Sequence, residues 1–129
     1  MSFETALRSR LKDDAGVAAI TSQVDWTVRP QASSFPAVVL TNIADQRDQH
    51  FQGFAGFRPT RVQIDCYAAT KAVAVSLREA VLAAVVPAAT KGGVTFLRSF
   101  VNTVLDRGDQ TETGFIHREL IDLTIWRSA

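Results

Sequence analysis

The sequence contains few of the residues on which disulfide, metal and redox chemistry depend. Its 129 residues include one cysteine, Cys66, and two histidines, His50 and His117. A lone cysteine cannot form a disulfide within the chain, and Cys66 lies in an apolar strand pattern that predicts a buried, unreactive thiol. A zinc site needs three or four ligands brought together, and these residues lack ligand spacing. We therefore expect neither a metal nor a cofactor.

A charge excess of either sign and long apolar runs are also missing. Fourteen basic residues stand against thirteen acidic ones, which gives a net charge of +1. Proteins that bind duplex nucleic acid usually carry a clear basic excess, so this class is disfavoured. No apolar run approaches the roughly 20 residues of a membrane span, and the stretch Met1–Asp14 lacks the apolar core of a signal peptide. The composition predicts a soluble protein of a reducing intracellular compartment.

Motifs for catalysis are not found either. No serine lies in a G-x-S-x-G context, and the segments "GFAG" and "TKGG" lack the spacing of phosphate-binding glycine loops. The nearby carboxylates Asp106 and Asp109 fall in a predicted turn, where solvation explains them. A small enzyme that uses Cys66 or His117 remains a remote alternative.

The pattern of apolar residues predicts one α+β domain over residues 1–129, with two helices packed on a mostly antiparallel sheet. The predicted order is α–β–β–β–α–β–β. Valine and threonine enrichment favours strands for the last two segments, although apolar residues on both sides of the first of them would also suit a helix. The predicted elements are Ser2–Asp14, Val24–Arg29, Ala37–His50, Arg61–Ala68, Thr70–Val86, Val94–Gly108 and Phe115–Arg127.

The third predicted element is unusually long for a strand. Ala37 to His50 would extend about 45 Å at about 3.3 Å per residue, whereas typical strands contain about 5–6 residues. Its far end, "ADQRDQH", is polar. We therefore expect a long protruding hairpin arm that carries the segment "HFQGFAGFRP" at or near its tip.

Aromatic residues are concentrated at this arm. Burying a phenylalanine side chain is worth about 1.5–3 kcal/mol, so several exposed together need a cover. Either the loop folds back onto its own sheet, or the aromatic side chains dock on another subunit. The docking interpretation predicts an interface formed by Phe35, His50, Phe51, Phe54, Phe57 and Arg58.

The helix predicted over Thr70–Val86 is apolar around much of its circumference. Val73, Leu77, Val81 and Val85 form one stripe, and further apolar residues lie off it. Such a helix is either well buried or has a second face against another chain. That second face, or an edge strand of the sheet, could supply a contact surface distinct from the arm.

The succession of segments resembles a known family of phage proteins. The segments that carry the resemblance are "FETALRSRLKDDAGVAAIT", a tryptophan strand ending in "RPQ", "FPAVVLTNI", a polar run with "HFQGFAGF", "RVQIDCYA", an alanine-rich helix and two closing strands. They are similar to those of the tail-completion proteins of siphophages, prophages and gene transfer agents. The match extends over nearly the whole chain.

This resemblance implies a structural α+β protein, not an enzyme, that forms a ring of typically six subunits on the head-proximal end of the tail tube. The ring halts tube polymerisation and joins tail to head. Its implied partners are further copies of itself, the major tail-tube protein and the head connector or stopper protein, while DNA passes through the lumen without specific binding. The implied location is the virion tail, after assembly in the bacterial cytoplasm and without a membrane. A head-side connector of the same particle is the alternative.

The docking interpretation makes a prediction at Phe54. Phe54→Asp should leave the melting temperature of the monomer nearly unchanged while weakening ring formation or tail joining, because the side chain would be covered by a neighbour. Thermal melting and native mass spectrometry measure the two effects. A sharp fall in the melting temperature would place Phe54 in the core instead.

Overall fold

The computed structural model describes residues 2–28, 35–47, 49–50, 53–54, 56–112 and 114–128, and for residues 49–50 and 53–54 only the backbone. The helices are α1 (Phe3–Asp13), α2 (Ala15–Ala18) and α3 (Lys71–Val85). The strands are β1 (Val24–Trp26), β2 (Ala37–Asp45), β3 (Gln49–His50), β4 (Gly53–Phe54), β5 (Phe57–Ala68), β6 (Ala89–Lys91), β7 (Val94–Phe96), β8 (Phe100–Asp106), β9 (Asp109–Thr111) and β10 (Gly114–Ser128).

Side-chain caps define where the helices begin. The Ser2 hydroxyl accepts a hydrogen bond from the backbone N–H of Thr5 and starts α1. Asp14 ends α1 and caps α2 by accepting from the N–H of Val17 at 3.1 Å. Thr70 caps α3 in the same manner. Each cap satisfies a backbone donor that a helix leaves unpaired in its first turn.

One large sheet organises the chain. Its strand order is β1-β2-β5-β10-β7-β6, and β8 and β9 also pair with β10. The long ladder between β5 and β10 runs from His117 opposite Ala68 to Ser128 opposite Phe57. The β1–β2 pair is parallel, and the other described pairs of this sheet are antiparallel.

The hydrophobic core lies between the helices and one face of this sheet. Alternate residues of β5 and β10 point into it, as the two-residue period of a strand requires. The side chains of Cys66, Ile64 and Ile121 are fully buried there. The helices contribute Phe3, Ala6, Leu7, Leu11, Val17, Leu77, Val81 and Val85.

The α+β class predicted from the sequence is what the structure shows, but the predicted order was too simple. Residues Ala15–Ala18 form a third helix, α2, which the predicted order lacks, and the parallel β1–β2 pair makes the sheet mixed. The first strand ends at Trp26, because Thr27 has a φ of 70°. Arg29, its predicted end, lies outside the described residues.

The strand predicted over Val94–Gly108 is interrupted. Ser99 is buried between β7 and β8, its backbone N–H bonds to the carbonyl of Val86 at 2.9 Å, and its hydroxyl donates to that of Val85. These bonds to the end of α3 pull the chain out of the sheet. The result is two strands, β7 and β8, where the sequence predicts one.

The predicted arm corresponds to β2, β3, β4 and the start of β5. β2 pairs with β5 from Ala37 opposite Tyr67 to Asp45 opposite Thr60. The predicted strand is broken after Asp45, and the short pair β3–β4 forms a separate two-stranded sheet. Protrusion of this hairpin remains a prediction.

Among the described residues, no helix combines the length and apolarity needed to span a membrane.

A buried carboxylate connects the sheet to α3. The side chain of Glu119 on β10 is 2% exposed. Its Oε1 accepts from Arg78 Nη1 at 2.6 Å, and its Oε2 accepts from Lys71 Nζ at 3.1 Å. Lys71 also contacts Asp106 on β8 at 2.9 Å. A carboxylate in this position is stable only while its cationic partners remain in place.

Glu119→Gln should lower the free energy of unfolding by about 2 kcal/mol, below the roughly 3–5 kcal/mol for a fully buried pair, because Arg78 and Lys71 reach solvent. Urea denaturation measures this change. Glu79→Gln is the matched control, since Glu79 contacts the same arginine but its side chain is 61% exposed. We expect a change below about 0.5 kcal/mol there. Equal effects of the two substitutions would contradict the structural role of Glu119.

Candidate interaction surfaces

Strand β8 leaves several large apolar side chains in solvent. Phe100 is 60% exposed, and Val101 and Val104 are also exposed. Val101 and Val104 pair with Leu123 and Ile121, whose side chains point to the helices, whereas Phe100 pairs with Thr124 on the opposite face. Apolar groups are therefore exposed on both faces of one strand. We call Phe100, Val101 and Val104 the β8 surface.

The backbone of β8 is open on one side as well. Within the described part of the chain, β8 pairs with β10 and with no other strand. Along such an edge, alternate N–H and C=O groups point outward and can pair with another chain. Apolar side chains beside an open edge are unfavourable in isolation, so the β8 surface is a candidate contact surface.

No β8 residue is among the interface residues predicted from the sequence, although an edge strand was one of the two features expected to supply a second contact surface. One feature of the sequence could have indicated the β8 surface. Apolar residues occur on both faces of the segment that forms β8, which also made the segment resemble a helix. A strand with one buried face would instead alternate apolar and polar residues.

The predicted interface residues are divided between two ends of β5. Phe57 begins β5 and is 43% exposed, with Arg58 beside it. Phe35 lies at the other end, where its ring centroid is 6.1 Å from that of Tyr67. Phe35 and Tyr67 line a cavity of about 410 Å³ with Thr27, Val28, Val39 and Ile116. The structure therefore does not bring Phe35 and Phe57 together.

The other predicted interface residues are only partly described. His50 lies in β3 opposite Gly53, and Phe54 lies in β4 opposite Gln49. Phe51 lies outside the described residues. Their docking role stays a prediction.

The two side chains considered for catalysis, Cys66 and His117, are packed against other parts of the fold. Cys66 is fully buried, which confirms the prediction of its position, and burial together with the nearby Asp65 and Glu119 raises the pKa of its thiol. The ring of His117 packs edge-on against Phe115 at 4.8 Å. No group of three His, Cys, Asp or Glu residues in the described ranges could hold a metal ion.

A second candidate surface is a small cavity rich in arginine where β2, β5 and β10 meet the start of α1. Its volume is about 210 Å³. We call it the arginine cavity. It is lined by Ser2, Phe3, Glu4, Arg47, Arg58, Val94, Arg127 and Ser128.

Asp45 lies among the three arginines. Its Oδ1 accepts from Arg127 Nη2 at 3.0 Å and from the Thr60 hydroxyl at 2.9 Å, while its Oδ2 accepts from Arg47 Nη2 at 2.9 Å. Arg58 Nε is 3.7 Å from Oδ1, beyond hydrogen-bonding distance. Asp45 is therefore already engaged by other donors.

The charges in this cluster alter one another's protonation. Burial acts to raise the pKa of Asp45, but the hydrogen bond from Thr60 and the charges of Arg127 and Arg58 outweigh it and lower this pKa. Burial lowers the pKa of Arg127, whose side chain is 4% exposed and whose guanidinium lies 4.4 Å from the ring centre of Phe3. The cluster thus places cationic groups in a poorly hydrated position.

The fold is a small α+β domain with two candidate contact surfaces. Residues 5–125 match the family model described as "Tail completion protein gp17", and the chain belongs to this family. No curated protein gives a significant match. Among solved structures, a chain of the "Virion of native gene transfer agent (GTA) particle" has a similar fold, with a TM-score of 0.69 and 14% identity over 99% of this chain and 96% of that chain. Family membership supports a structural role in tail completion.

Asp45→Asn should destabilise the protein by about 2 kcal/mol at neutral pH, because Arg127 and Arg47 lose their carboxylate. The folded-state pKa of Asp45 is below its unfolded value of about 3.9. The contribution of Asp45 is therefore present above that value and is lost as the pH falls through the lower, folded pKa. Urea denaturation of both proteins at pH 7 and at pH 3 measures this, with a smaller difference expected at pH 3. A difference independent of pH would contradict this electrostatic role.

Proposed function

We propose that this protein is a tail terminator that forms a ring on the head-proximal end of the tail tube. The ring stops polymerisation of the tube and joins the tail to the head. Membership of the tail completion family supports the general role. The observation that carries the ring proposal is the β8 surface, which exposes apolar side chains beside an open strand edge and needs another chain to cover it.

A closed ring requires two different patches on each subunit, because its contacts are head-to-tail. The β8 surface is at one edge of the sheet, and we propose it as the first patch. The hairpin that contains Phe54 and Phe57, together with the arginine cavity at its base, is the proposed second patch. In this arrangement the aromatic residues of one subunit cover the β8 surface of the next.

The proposed partners are further copies of this chain on the two sides of each subunit, the major tail-tube protein on one face of the ring, and the head connector or stopper protein on the other. A ring of six subunits is the expected size. DNA would pass through the lumen, and the net charge of +1 is compatible with passage without tight binding. The proposed location is the head-proximal end of the virion tail, after assembly in the bacterial cytoplasm.

A head-side connector of the same particle is the second candidate, because it would also form a ring and use similar surfaces. The two roles differ in the particle that carries the protein. A terminator copurifies with tails assembled in the absence of heads, whereas a head-side connector copurifies with filled heads that lack tails. A terminator gene also usually lies just before the major tail protein gene.

The β8 surface provides the test of the ring. Phe100→Asp should change the melting temperature of the monomer by only about 2 °C, because the side chain is already 60% exposed. The same substitution should abolish the ring that native mass spectrometry detects in the presence of tail-tube protein, since it places a charge in an apolar contact. Phe100→Leu is the matched control and should retain the ring. Rings that persist in Phe100→Asp would exclude β8 as a subunit contact.

A further inference from the structure

The side chain of Arg58 is mostly buried but lacks a hydrogen-bond acceptor among the described residues. Its side chain is 11% exposed, and its guanidinium forms no hydrogen bond with any described residue. The Nε atom is itself buried without an acceptor in the described part of the chain. A buried donor without a partner costs about 1–3 kcal/mol, and more when it is charged. Among the described residues, Arg58 is therefore placed unfavourably.

The arginine cavity also carries more positive than negative charge. Arg47, Arg58 and Arg127 supply three positive charges, and the nearby carboxylates of Glu4 and Asp45 supply two negative ones. The first residues of α1 also line the cavity and present the positive end of the helix dipole. One further carboxylate would balance the charge and give Arg58 an acceptor. A guanidinium fork binds a carboxylate in bidentate fashion.

Two exposed acidic side chains occur at the opposite end of the molecule. Asp109 in β9 and Glu112 in the turn before β10 are exposed, and neither forms an ion pair with a described residue. We call these two residues the acidic turn. Asp109 is three residues beyond the end of β8. A chain that covers the β8 surface therefore also comes close to the acidic turn.

The length of β10 prevents the acidic turn from reaching its own arginine cavity. β10 extends from Gly114 to Ser128, with the acidic turn beside its first residue and Arg127 near its last. These ends are separated by about 40 Å at about 3.3 Å per residue. Opposite charges at the two ends of one rigid strand suit a contact between successive copies, in which each subunit uses both ends.

We propose that the arginine cavity of one copy binds a carboxylate of the acidic turn of a second copy. Arg58 is the residue that receives it, through guanidinium N–H groups that form no hydrogen bond with a described residue. This inference rests on the proposed ring and identifies a charged contact within it. It also gives a reason for keeping a costly, mostly buried arginine, since a guanidinium that has only a long ion pair with Asp45 would select a correctly placed neighbour.

Charge reversal with rescue tests the contact. Arg58→Glu should lower ring formation with tail-tube protein at least tenfold by native mass spectrometry, as should Glu112→Arg or Asp109→Arg. Combining Arg58→Glu with the reversed partner should restore rings to within a few-fold of the unchanged protein. Failure of both combinations to restore rings would overturn the proposed pairing.

Arg58→Met keeps the test interpretable if Arg58→Glu does not fold. It retains an unbranched apolar side chain, so the melting temperature should stay the same or rise while ring formation falls. A lower melting temperature with rings intact would assign Arg58 a role within the subunit and overturn the inference. Asp48→Asn is the control, because this carboxylate lies outside the described residues. A loss of rings in Asp48→Asn equal to that in Arg58→Met would identify Asp48 of the same chain as the partner of Arg58 and overturn the inference.

Ring formation by the unchanged protein distinguishes failure of the charged contact from failure of the proposed function. If it forms rings and the Arg58 variants form them equally well, the charged contact is wrong and the ring stands. If the unchanged protein forms no rings with tail-tube protein, the proposed function itself fails.

Discussion

The long antiparallel ladder between β5 and β10 is the constraint on which the rest of the structure depends. β10 pairs with β5 along one side and with β7, β8 and β9 along the other. It therefore sets the position of the open edge strand, of the acidic turn at one end and of Arg127 at the other. Glu119 near its middle binds α3 through Arg78 and fixes the helical layer on the sheet. A shift of one residue in this ladder would turn Ile121 and Leu123 out of the core, so the register is strongly determined.

The apolar core and the Glu119 cluster are better satisfied than two parts of the protein's surface. Ile64, Leu77 and Ile121 are fully buried, and the Glu119 carboxylate has two cationic partners. In contrast, Phe100 is exposed beside an open strand edge, and Arg58 has no acceptor among the described residues. A small domain can bury only part of its apolar surface when it folds. A neighbouring chain can therefore cover Phe100 and supply an acceptor for Arg58 more readily than a rearranged core could. Assembly and folding would then be stabilised by different residues of the same chain.

Local patterns were sufficient to predict α1 and α3, the buried face of β5 and the burial of Cys66, but not the separate short helix α2. The alternation of buried and exposed residues through Val62 and Ile64 is a property of neighbouring residues, and the structure agrees with it. The break at Ser99 could not be predicted, because it depends on bonds to the end of α3. The exposure of β8 likewise depends on which strand ends the sheet. The Asp45–Arg127 pair joins residues 82 positions apart, so no local pattern marks the arginine cavity.

Electron microscopy of tails assembled with and without this protein tests the proposed role most directly. With the protein present, we expect tails of uniform length that carry a ring of added density at the end that joins the head. Without it, tubes should exceed that length and fail to join heads. Tails of normal length that lack the protein, or density for it only on isolated heads, would contradict a role as tail terminator.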